Sequence, residues 1–87
     1  MSYQLYKAEV HIMVDGNIKS RIVYSETRDD FGRFLSREKK SNPEQRYGVI
    51  NQTVEHHVSG HLHHLVKEKK EQGILGVWED ETKLATV

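Results

Sequence analysis

The chain has 87 residues, of which 36% are hydrophobic. That is room for a single domain over 1–87 with a modest core, and oligomerisation would help stabilise it. Thirteen lysines and arginines balance thirteen aspartates and glutamates, which argues against a general nucleic-acid binder and against an acidic DNA mimic. The absence of cysteine removes disulfides, thiol catalysis, iron–sulfur clusters and cysteine-ligated zinc.

The opening segment MSYQLYKAEV lacks a basic stretch followed by an apolar run. No apolar run approaches the ~20 residues that span a membrane. The expectation is a soluble, cytoplasmic protein with no membrane contact. From Tyr6 the apolar residues alternate: Tyr6, Ala8, Val10 and Ile12 on one parity, Leu5, Lys7, Glu9 and His11 on the other. Alternation of this kind predicts a half-buried strand. Asp15-Gly16-Asn17 then predicts a tight hairpin turn, because these residues accept positive φ. The return strand runs through IKSRIVYSE. Ile18, Ile22 and Tyr24 are expected on its covered face. Lys19 and Arg21 are expected to join Lys7, Glu9 and His11 on an open, solvated face. That mixture of signs lacks the aromatic platform of an RNA-binding sheet. Tyr6, Tyr24 and Trp78 are expected in the core.

A helix follows in SETRDDFGRFLSREKK. Ser25 or Thr27 serves as its cap, and Asp29 and Asp30 complement the dipole in the first turn. Phe31, Phe34 and Leu35 make an apolar stripe. Arg37, Lys39 and Lys40 close the helix, and Asn42-Pro43 stops it. The same Asn-Pro-Glu-Gln also reads as a helix start. From there Tyr47, Ile50, Val54, Val58, His61, Leu62 and Leu65 hold one helical phase. This predicts one long or kinked helix from about Pro43 to Gln72, a rod of about 45 Å. The rival reading places a strand at RYGVINQTV and a shorter helix from Ser59. Gly73 ends the helix, ILGVWED reads as a strand, and LATV reads as a last strand or a tail. The expected architecture is α+β in two layers, in the order β-β-α-α-β with one more optional strand. An antiparallel sheet, made of the hairpin and a C-terminal strand, is covered by two helices, the second of them long. So long a helix overhangs its sheet, so a homodimer seam is expected along Tyr47, Ile50, Val54, Val58 and Leu65.

Five of the six histidines fall within VEHHVSGHLHH, Val54 to His64. On a helix, His57, His61, His64 and Glu68 share a flank beside the apolar stripe, while His56 and His63 face away. Imidazoles at this spacing suit a transition metal. The stronger expectation is that the flank lines a contact, since one straight helix rarely converges three side chains on an ion. No nucleophile elbow, phosphate loop, dinucleotide fingerprint or HExxH motif is present. The function expected is therefore non-enzymatic and needs no cofactor. It is that of a small binding or regulatory protein, by analogy an inhibitor or host-modulating accessory protein of phage or mobile-element type, acting on a protein partner. The expected partner-binding residues are His57, His61, His64, Lys67, Arg37, Lys39 and Lys40. The alternatives are nucleic-acid or nucleotide-phosphate binding by the basic helix ends, with Lys69 and Lys70 added, and metal binding by the histidine flank.

Overall fold

The computed structural model describes residues 3–81. The first strand, β1, spans Tyr3–Val14 and turns back through Asp15 and Gly16 into β2, Asn17–Ser25. Both turn residues have positive φ, 51° and 79°, the geometry whose twist matches a two-residue hairpin. Because the loop is so short, Val14 lies opposite Asn17, and the register runs on through Ile12–Lys19, Val10–Arg21 and Ala8–Val23. Opposed residues share a face of the sheet. Lys19 and Arg21 therefore stand with Val10 and Ile12, while Ile18, Ile22 and Tyr24 stand with Leu5, Lys7 and Glu9. This corrects the expected face assignment of β2.

Helix α1 spans Arg28–Ser41 and is capped by Thr27, whose hydroxyl accepts the Asp30 N–H at 3.1 Å. Asn42 closes it by donating its backbone N–H to Glu38 O at 3.0 Å. The next element is a strand, β3, Arg46–Val58. Helix α2 covers only Gly60–Glu71, and β4 is Val77–Trp78. A helical turn begins at Glu79. The order is thus β-β-α-β-α-β, and the single helix from Pro43 to Gln72 does not exist. Physical reasons for the strand are at hand. Val49, Ile50, Thr53 and Val54 are β-branched and fit a pleated surface. Ser59 supplies a fresh cap, its hydroxyl accepting the Leu62 N–H at 3.1 Å. Gly73 does close α2: its N–H reaches Lys70 O and that of Ile74 reaches Lys69 O, both at 2.9 Å, a Schellman pair. The LATV segment lies outside the described residues.

The four strands form one antiparallel sheet in the order β3-β1-β2-β4. Its two faces each carry a core. Ala8, Val10, Ile12, Val23 and Trp78 pack with Phe31, Phe34 and Leu35 of α1. Leu5, Tyr24 and Val77 pack with Val66 of α2, joined by Ile22, Val58, Leu62 and Leu65. Val23 and Tyr24 are neighbours in sequence, as are Val77 and Trp78, yet each pair divides between the two cores. Successive side chains of a strand point to opposite faces, so the helices cover opposite faces of the sheet. The expected two-layer packing is replaced by a sheet between helices. The two helices are also tied to each other. Lys70 Nζ sits 2.8 Å from Asp30 and 3.7 Å from Glu26, and the Arg37 guanidinium donates to the Gly73 carbonyl.

Candidate functional site

The outer edge of β3 is the most distinctive surface of the fold. Among the described residues, β3 pairs on one side with β1 and forms the margin of the sheet on the other. It is thirteen residues long, and an edge strand presents a row of unpaired N–H and C=O groups. Two irregularities interrupt it. The register with β1 shifts between Glu9 and Val10, where Ile50 is the extra residue, and again between Tyr3 and Gln4, where His57 is. His57 takes φ 61°, the left-handed conformation that such bulges use. Near the start of the strand, the Tyr47 hydroxyl donates to Gln45 Oε1 at 2.7 Å. Burial, followed by the charge of Glu38, raises the pKa of that phenol above its ordinary value. In the middle, the Tyr6 hydroxyl donates to Gln52. Ile50 and Val54 remain 48% and 52% exposed, and no charged residue stands between Arg46 and Glu55.

Beside this edge lies the uncovered part of the sheet. Glu9 accepts from the Ser20 hydroxyl at 2.8 Å and from the Asn51 amide at 3.2 Å, and His11 Nε2 is 3.7 Å away. The Ser20 bond, then the Asn51 bond, holds the Glu9 carboxyl below its ordinary range, against a smaller opposing effect of burial. A carboxyl with a depressed folded pKa contributes stability that is complete above its unfolded pKa of about 4.3 and is lost as pH falls through the folded value. Glu9→Gln is therefore expected to flatten the acid side of the stability profile, read as urea midpoints at neutral pH and near pH 3. Parallel profiles for the two proteins would refute that role.

The structure separates the histidines. His56 and His57 lie on β3; His61, His63 and His64 lie on α2. The flank of His57, His61, His64 and Glu68 required one continuous helix, so it is not assembled. Among the described residues no group of three or more histidine, aspartate or glutamate side chains is placed to hold a metal. His64 Nε2 retains its helical neighbour, 4.0 Å from Glu68. His56 is exposed, whereas His63 stacks on the Tyr3 ring at 4.5 Å between centroids. Of the basic helix ends, Arg37 is engaged with Gly73 and Lys70 with Asp30 and Glu26. Lys39, Lys40 and Lys67 are exposed. The five expected seam residues are also divided. Tyr47, Ile50 and Val54 lie along β3, while Val58 and Leu65 pack against the α2 core.

Sequence reasoning passed over Arg46 and Glu55. The signal for them was present in RYGVINQTVE: an uncharged, β-prone run bracketed by opposite charges. The chain matches no family model, and no curated protein or solved structure resembles it significantly.

Proposed function

We propose that this chain is a non-enzymatic binding protein, a small cytoplasmic regulator or inhibitor, that acts through protein–protein contacts at the outer edge of β3. The observation that carries this reading is the edge itself. A long marginal strand offers its main chain as a template for an added strand. Side chains at alternate positions then supply specificity, and Ile50 and Val54 are the exposed apolar anchors available for it. Natural edge strands commonly protect themselves with lysine, proline or bulges, and here the protection is limited to the bulges at Ile50 and His57. β3 carries neither lysine nor proline, and its central stretch from Tyr47 to Val54 is uncharged. No helix among the described residues is long and apolar enough to cross a membrane, which suits a partner met in solution.

The test is lysine substitution at both anchors. Ile50→Lys with Val54→Lys changes two exposed positions, so circular dichroism is expected to match the wild type. Affinity capture from the native cell, with differently tagged copies of the chain present, is expected to fall at least about tenfold. Undiminished capture would defeat the reading. Loss of capture only on replacing Lys39, Lys40 and Lys67 would move the working surface to the helix ends.

A further inference from the structure

We propose that the occupant of the β3 edge is a second copy of this chain, paired antiparallel about a two-fold axis beside Ile50. The proposal rests on the reading of β3 as the binding edge and adds the identity and register of what binds there.

The register with β1 fixes the face of each β3 residue. Tyr47, Val49, Gln52 and Val54 lie opposite Ile12, Val10, Ala8 and Tyr6, all on the side covered by α1. Arg46, Gly48, Thr53 and Glu55 lie opposite Met13, His11, Lys7 and Leu5, on the other side. The bulge at Ile50 causes the change: odd-numbered residues share the α1 side before it and even-numbered ones after it. In a two-fold antiparallel pair, opposed residues stand on the same side of the joint sheet. A regular strand meets that condition by opposing residues of like parity. This strand meets it only when odd opposes even across the bulge.

Two registers centred on the bulge satisfy the condition, and charge separates them. In the first, Arg46 faces the partner's Glu55, Tyr47 faces the partner's Val54 and Val49 faces the partner's Gln52. Ile50 then lies next to the axis. In the second, Arg46 faces the partner's Thr53 and Tyr47 faces the partner's Gln52, and neither Arg46 nor Glu55 stands opposite a charged residue of the partner's β3. The first forms an ion pair at each end of the interface and an aromatic–aliphatic pair inside each. The second forgoes both ion pairs, so charge complementarity favours the first. Lys7 Nζ lies 3.9 Å from Glu55, a loose contact that leaves the carboxylate able to take a second cation. The result is one continuous sheet through both copies. Its uncharged centre is shielded, and its ends are locked by opposite charges that this strand alone supplies.

Sedimentation equilibrium on the intact chain is the experiment, with circular dichroism on each variant. Wild type is expected to be a dimer. Arg46→Glu and Glu55→Arg are each expected to weaken it at least about tenfold, because each sets like charges in apposition twice. The double variant, which exchanges the charges in both copies, is expected to recover most of the affinity. Mixing the two single variants is expected to give a mixed dimer tighter than either alone. Arg46→Gln and Glu55→Gln, which introduce no new charge, guard against misfolding from the Lys7 contact and are expected to weaken the dimer less. A strict monomer overturns the proposal, as does a dimer indifferent to all the charge variants. A monomer that captures some other protein through Ile50 and Val54 overturns self-pairing and leaves the edge reading standing. A dimer unmoved by both the lysine and the charge variants removes both.

Discussion

Trp78→Ala is expected to cost about 4 kcal/mol, most of the stability available to a domain of this size. Trp78 is 4% exposed. Its ring meets the Phe34 ring edge-on at 5.4 Å between centroids, and the Arg21 guanidinium lies 4.1 Å from its centroid. Arg21 also holds Asp80 through two bonds of 2.7 and 2.9 Å. That pairing lowers the pKa of the Asp80 carboxyl. Truncation thus empties a large site in the α1 core and strips Arg21 of its platform. The strand that carries Trp78 has only one other residue, Val77, which is fully buried in the opposite core. A loss of that size in one of two strand residues is expected to loosen the other, so both cores weaken together. Urea unfolding followed by far-UV circular dichroism measures this, since the variant lacks the chain's single tryptophan. Trp78→Phe is expected to retain about half the loss or better. An unfolding free energy for Trp78→Ala within about 1 kcal/mol of wild type would show that β4 is dispensable.

Gly76→Ala is the second large effect, expected at about 2 kcal/mol from a single added methyl group. A Cβ at this position would stand 2.7 Å from Phe34 Cγ, and 2.9 and 3.0 Å from its two Cδ atoms. The obstacle is a ring buried to 6% exposure and already wedged against Trp78, so it has little room to retreat. The segment from the end of α2 to β4 crosses the face of Phe34 at backbone distance, and only glycine permits that approach. Phe34→Leu alone is expected to destabilise, yet in the Gly76→Ala background it is expected to cost less, because it removes the clash. A double-mutant cycle reads that coupling. Strictly additive effects would mean that the loop simply shifts away from the ring.

The parts of the fold that were legible in the sequence have local causes. Asp15-Gly16 can serve the hairpin, Thr27 with Asp29 and Asp30 can start α1, and Gly73 can end α2 wherever the rest of the chain lies. For the segment after Pro43 the structure bears out the rival reading, a strand at RYGVINQTV and a helix capped by Ser59; the favoured helix competes because the strand's irregularities disguise it. An extra residue at Ile50 and another at His57 break the two-residue alternation, and the apolar positions Tyr47, Ile50, Val54 and Val58 fall at helical spacing by coincidence. The second core was missed for a related reason. Leu5 shares its parity with Lys7, Glu9 and His11, residues expected on a solvated face, and α2 in fact covers that face at one end. The histidines were united by a helix that is not there. Tyr47, Ile50 and Val54 were singled out on the same mistaken geometry, yet they lie together along one strand. Arg46 and Glu55 gain meaning only when the bulge sets which residues share a side.

The central position of β1 also dictates how the molecule must come together. Its partner β2 arrives after a two-residue turn, a closure that takes microseconds. Its other partner, β3, supplies pairs such as Val10–Val49 only after the whole of β2 and α1 has intervened. That long loop must be closed before any of its pairing is rewarded, which slows the step. The hairpin with α1 on one face is therefore the natural early structure. Until β3 docks, β1 itself is the open margin of the sheet, with Ala8 and Val10 beside unpaired main chain. The chain is expected to be most prone to mispairing in that interval, which ends when Arg46 to Val58 pair with β1.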